Sequence, residues 1–134
     1  MADLGTGAGF PGLVVEIFNK NKAFHVKLYE KSPLKRKFLM SVIKELSLNA
    51  EVLGDVRDEL IDSEIIICRA FKKLDQIIQV SREIAKKPHK LMILKGQNAQ
   101  QEVKNSFKTK KYPYKLLSSM TNKDSKIILM EISK

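Results

Sequence analysis

Residues 3–12 read Asp-Leu-Gly-Thr-Gly-Ala-Gly-Phe-Pro-Gly, and Gly7, Gly9 and Gly12 within them keep a G-x-G-x-x-G spacing. Glycines so spaced let a chain turn tightly from a strand into a helix and let a ligand lie against bare backbone. Two ligand classes use such a turn, dinucleotides and S-adenosylmethionine, and the spacing alone is a weak signal for either. Asp3 favours the second. A carboxylate at the strand end repels a pyrophosphate but attracts the ammonium of a methionine moiety, directly or through water. Glu30 directly follows a second predicted strand, about 20 positions after the turn, where an acid accepts hydrogen bonds from two ribose hydroxyls in either class.

Other chemistries lack their residues. The sequence shows no paired carboxylates, no histidine cluster and no Cys–His arrangement for acid–base or nucleophilic work. His25 and His89 stand alone, at a strand start and in a loop, and read as structural or solvated. Cys68 is the only cysteine. It can form no internal disulfide and no metal site by itself, so it reads as buried packing in a reducing cytoplasm, and no metal is expected. The apolar run 65–68 is far too short to span a bilayer, and the amino terminus lacks a basic segment followed by an apolar one.

Charge points to a polyanionic partner. The net charge is +10, yet residues 1–68 hold 9 Lys and Arg against 10 Asp and Glu, whereas residues 69–134 hold 16 against 5. Such asymmetry suits nucleic acid, whose neutralised phosphates release counterions. Candidate phosphate contacts are Lys35, Arg36 and Lys37, then Lys72, Lys73, Lys108, Lys110 and Lys111, with Lys95 at the end of a predicted strand. Singly each reads as a solvated charge; as a set they favour phosphate binding.

Strands must deliver these residues to one edge, and the chain alternates period-2 and helical apolar segments, the pattern of an α/β domain with a parallel sheet. Pro11 opens a helix with Leu13, Val14, Ile17 and Phe18 on one face. A strand at 25–30 follows. Ser32 and Pro33 cap and open a second helix with the stripe Leu34, Phe38, Leu39, Val42, Ile43 and Leu46. Strands at 51–54, 64–68 and 90–94 enclose a helix with Leu74, Ile77, Ile78, Ile84 and Ala85 inward. A helix at 98–107 precedes two strands, 114–118 and 126–132, joined by a polar turn into an antiparallel hairpin. A nicotinamide-binding domain has no reason to end in this way.

The segments "DLGTGAGFPG", "YEKSPLKRKFL", "CRAFKKLDQ" and "LMILKGQN" together resemble the glucose-inhibited division protein B family, bacterial methyltransferases of small-subunit ribosomal RNA. The resemblance implies a class I S-adenosylmethionine-dependent methyltransferase: a Rossmann-like α/β sheet, mainly parallel, with a C-terminal antiparallel hairpin. It implies one domain over residues 1–134, lacking the helical portion and full first strand that the family carries ahead of the glycine turn. It implies methyl transfer from S-adenosylmethionine to N7 of guanine 527 of 16S rRNA, with an inactive RNA-binding remnant as the alternative. Free small-subunit rRNA or the 30S subunit is the implied partner, and a monomer the expected state.

Residue by residue, Gly5 and Phe10 match the family's cofactor-contacting loop, Arg69 the arginine of its R-A-F segment, and Glu30 its ribose acid. Adenine contacts are implied at Val56 and Arg57, although Asp55-Val56-Arg57 exchanges the charges of the family's Arg-x-Glu. Guanine N7 carries a free lone pair, so transfer to it requires no base. Positioning then matters most, and Arg69, Phe71 and Lys95 are the candidates, Phe71 either stacking on a flipped base or plugging the core.

Overall fold

The computed structural model describes residues 1–69, 71–107 and 112–133. Strands β1 (Ala2–Leu4), β2 (Val26–Tyr29), β3 (Ala50–Leu53), β4 (Ile65–Arg69), β5 (His89–Lys95), β6 (Tyr114–Ser118) and β7 (Lys126–Ile132) form one sheet. Helices α1 (Gly12–Phe18), α2 (Pro33–Leu46), α3 (Leu74–Ile84) and α4 (Ala99–Ser106) connect them, with a short 3-10 turn at Val56–Asp58. The order is β3-β2-β1-β4-β5-β7-β6, parallel from β3 to β5, with β7 antiparallel to both β5 and β6. Between β1 and β4 the order reverses. There the loops after two neighbouring strands diverge and leave a crevice at their carboxyl ends.

Burial follows from position in the sheet. β1 has only three residues, all buried, because it pairs with β2 on one side and β4 on the other. β4 is a near-continuous apolar run, as expected of a central parallel strand covered on both faces. The larger core cluster joins Ile66, Cys68, Leu91, Ile93, Ile128 and Met130 of the sheet to Leu74, Ile77, Ile78 and Ile84 of α3. The smaller joins Leu13, Val26, Leu28 and Leu39.

The expected elements recur within one or two residues, and the two hairpin strands at the predicted positions. Three expectations are corrected. On α1 the inward residues are Leu13 and Glu16, while Ile17 and Phe18 are exposed; the Glu16 carboxylate accepts the Asn49 amide at 3.2 Å. On α2 only Leu39 is fully buried, and Leu34 (79%), Phe38 (52%) and Leu46 (51%) are exposed, because the helix meets the sheet along one narrow seam. His89 begins β5 rather than lying in a loop, and burial lowers its pKa.

Candidate functional site

The glycine turn is built on Asp3. Its Oδ2 accepts from Thr6 Oγ1 at 2.6 Å and from the Gly12 amide at 2.8 Å, so one buried carboxylate ties the turn to the start of α1. Burial raises its pKa, opposed by those two hydrogen bonds and by the charge of Arg69. Oδ1 has no partner within the protein. Asp3 therefore braces the turn, and its Oδ1 is buried and unpaired. Gly5, Gly7 and Gly9 all have positive φ. At Gly7 (φ +62°) a Cβ would meet nothing within 4 Å, so backbone there borders open space. At Gly12 a Cβ would strike Leu28 and Asp3, which is why α1 can start so close to β2.

Glu30, at the end of β2, closes the turn from the other side. Its Oε2 accepts the Gly7 amide at 3.0 Å and its Oε1 the Ser32 amide at 2.9 Å. Each oxygen retains a further lone pair, so the carboxylate can still accept two hydroxyl donors. Arg36 Nη1 donates to the Glu30 and Lys31 carbonyls at 3.0 and 2.6 Å, fixing this loop. Lys31 Nζ reaches across to Asp55 Oδ2 at 3.0 Å and links the loops after β2 and β3. Asp55 also caps the 3-10 turn through the Arg57 amide, and these contacts lower its pKa. Between these loops lies a cleft of about 140 Å³ whose walls include Gly5, Tyr29, Glu30, Asp55, Val56 and Phe71.

Beyond β4, Phe71 lies against the α-carbon of Gly5, close enough that a Cβ there would come within 2.8 Å of the ring. It packs on the main core, with Lys72 Nζ 5.8 Å from its centroid. The guanidinium of Arg69 sits 5.9 Å from the Phe10 ring, joining the β4 end to the glycine turn. Lys95 Nζ pairs with Glu102 Oε2 at 2.9 Å and donates to the Lys72 carbonyl at 2.8 Å. Glu102 Oε2 also accepts the Leu74 amide at 3.2 Å, so this pair anchors both the loop after β4 and the start of α3.

The structure thus brings Gly5, Glu30, Val56 and Phe71 to the walls of one cleft, with Gly7 bonded to Glu30, Asp3 buried beneath the turn, Gly9 turned toward Leu13, and Arg69 over Phe10. Arg57 does not belong to the cleft wall; its exposed side chain folds back on Asp55. Arg36 Nη1 is held by the Glu30 and Lys31 carbonyls, and Lys95 is paired with Glu102. Lys35, Lys37, Lys72 and Lys73 are exposed. Lys108, Lys110 and Lys111 lie outside the described residues. Thr6, Lys31 and Glu102 were missed; only Thr6, three positions after Asp3, carried a local signal. Cys68 is buried, and burial pushes its thiol pKa up to about 12. Among the described residues no group of three or more His, Cys, Asp and Glu could hold a metal, and no helix is long and apolar enough to cross a membrane.

Comparison with known proteins identifies the family and the fold. A family model described as GidB, rRNA small subunit methyltransferase G, matches residues 1–128. The ribosomal RNA small subunit methyltransferase G of Pelagibacter ubique is 32% identical over 100% of this chain and 64% of its own length. That of Mesoplasma florum is 38% identical over 92% of this chain and 52% of its own. The chain therefore spans roughly half to two thirds of these relatives. Among solved structures, a methyltransferase from Pyrococcus furiosus superposes with a TM-score of 0.73 at 11% identity, over 99% of this chain and 74% of that one. A SAM-dependent methyltransferase from Aquifex aeolicus gives 0.72 at 14%, over 98% and 80%. The fold is that of S-adenosylmethionine-dependent methyltransferases.

Proposed function

We propose, from the premise that this chain belongs to the GidB family of small-subunit rRNA methyltransferases, that its 134 residues act as one domain that methylates a guanine of that RNA at N7. The guanine at position 527 of 16S rRNA is the specific target. The observation that carries the reading is the Gly7–Glu30 hydrogen bond at the switch point, which joins a bare-backbone turn to an acid with two free lone pairs. These residues fit S-adenosylmethionine. Glu30 would hold the ribose hydroxyls, Val56 would supply an apolar wall for the adenine, and the unpartnered Oδ1 of Asp3 suits the ammonium end.

When bound, the cofactor supplies an electrophilic methyl group on a sulfonium. Guanine N7 is nucleophilic without losing a proton, so the protein needs no base and contributes alignment, which can supply roughly 7–11 kcal/mol. Asp3 and Thr6 fix the turn, Arg69 and Phe71 form the wall toward the RNA, and the Lys95–Glu102 pair keeps that wall in place. Exposed lysines at the start of α2 and α3 add phosphate attraction that falls with salt. The reaction takes place in the cytoplasm, on rRNA or the 30S subunit, with the chain acting as a monomer.

The test is calorimetric titration with S-adenosylmethionine and transfer of a labelled methyl group to undermethylated small subunits, with the product nucleoside identified. Cofactor binding and 7-methylguanine are expected. Methylation of another atom would refute the N7 reading, NAD binding would revive a dehydrogenase, and RNA binding without cofactor would leave an inactive RNA-binding protein.

A further inference from the structure

A second basin, of about 430 Å³, opens at the carboxyl ends of β4 and β5, where Arg69, Lys95 and Lys126 face Ser119, Thr121 and Ser125 of the β6–β7 turn. We propose that it seats a backbone phosphodiester of the RNA substrate, next to the nucleotide being modified. The inference rests on the methyltransferase reading and adds to it a place for the substrate.

Beside Leu94 and Ile127, the polar lining is one of donors. Its charged residues are all cationic, and no carboxylate is among them. Lys95 is already paired with Glu102. Arg69 and Lys126 form no ion pair among the described residues. Lys126 Nζ gives one proton to Ser118 Oγ at 3.0 Å and retains two. The acid of the turn, Asp124, turns aside to Gln97 at 3.4 Å. Hydroxyls complete the wall, and Ser119 is oriented by the Thr121 and Asn122 amides at 3.3 Å.

Two cations and a group of hydroxyls suit an anion better than a base. The Watson–Crick edge of guanine carries N–H donors that would want acceptors, and an arginine fork on O6 and N7 would cover the atom to be methylated. A phosphate satisfies the same side chains and leaves N7 free. The basin also abuts the crevice. Arg69 belongs to its lining and stands over Phe10 of the glycine turn, so a phosphate held here sets its nucleotide beside that turn.

The test uses the full chain, a fluorescently labelled single-stranded RNA oligonucleotide and the variants Lys126→Gln, Lys126→Arg and Thr121→Val, the last at an exposed position, with thermal melts checking that each variant is folded. Each phosphate contact on a single strand adds about 0.7 to the magnitude of the log–log salt slope. Lys126→Gln should lower the slope by about that amount, so that wild type loses about two- to threefold more affinity than the variant over a fourfold rise in salt. Lys126→Arg should retain the slope, Thr121→Val should weaken binding at constant slope, and S-adenosylmethionine affinity should hold in all three. An unchanged slope in Lys126→Gln, or a loss of cofactor affinity in its place, overturns the proposal. So does inorganic phosphate that binds the wild type and is lost in Lys126→Gln while RNA binding stays equal. A wild type that binds RNA with the expected slopes but no cofactor refutes the methyltransferase reading alone.

Discussion

Replacing Glu30 tests the junction on which the crevice depends. Glu30→Ala removes two amide-to-carboxylate bonds, to Gly7 at 3.0 Å and Ser32 at 2.9 Å. Hydrogen bonds to charged groups contribute about 1.5–3 kcal/mol each, but both are part-buried and the freed amides regain water in the cleft, so about 1.5–3 kcal/mol for the two together is appropriate. For a chain of this length that lowers the melting temperature by about 5–15 °C. The same substitution deletes the ribose acceptor, a further loss of about 1.5–3 kcal/mol in cofactor binding, or roughly 10- to 150-fold in Kd. Glu30→Gln separates the two roles. Its amide offers one acceptor and one donor group, so it can serve Gly7 or Ser32 but not both, and its losses should be about half as large. Thermal melts and calorimetric titration with S-adenosylmethionine measure both effects. An alanine variant with wild-type melting and wild-type affinity would refute the reasoning, and a loss for NAD alone would assign the acid to a different ligand.

Gly7→Val should abolish cofactor binding by placing a branched side chain at φ +62° in the open space above the turn; calorimetry with unchanged affinity would remove the turn from the site. Glu102→Gln should cost about 1–3 kcal/mol in a urea melt, because it leaves the Lys95 ammonium, 11% exposed, without its counter-charge. Lys95→Met should cost less, and a double-mutant cycle should give a coupling of about 1 kcal/mol. Asp55 has a folded pKa below its ordinary 3.8, through the Arg57 amide first and Lys31 next. Its contribution to stability is therefore complete above that ordinary value and is lost as pH falls through the depressed one, so Asp55→Asn should flatten the acid limb of the stability curve. An equally steep limb in the variant would contradict the clamp.

Strand positions, the inward face of α3 and the closing hairpin were legible because local periodicity and turn chemistry report them directly. So were the places of the glycine turn after β1 and of Glu30 at the end of β2, which residue type and strand boundaries report. What periodicity cannot report is which part of a broad apolar face meets the sheet; Phe18, at 80% exposure, and Leu34 lie about 140° round their helices from the buried Leu13 and Leu39. Charge is ambiguous in the same way. Lys95 and Arg36 look like free cations in sequence, and only the fold brings Glu102 and the Glu30 and Lys31 carbonyls to them. Arg57 was drawn away from the cleft by Asp55, two positions earlier, which serves as its cap and counter-ion at once.

The place of β7 inside the sheet orders the molecule's opening. β6 comes earlier in sequence yet pairs only with β7, while β7 also pairs with β5. β6 therefore cannot remain docked when β7 leaves, although β7 can remain when β6 leaves. In native-state hydrogen exchange the amides of Tyr114–Ser118 should never be better protected than those of Lys126–Ile132. Because the turn between these strands walls the basin at Arg69 and Lys126, local opening of the hairpin dismantles that wall while the β1–β4 crevice stays intact. Grip on the RNA and grip on the cofactor then belong to different cooperative units, and mild denaturant should release the first before the second.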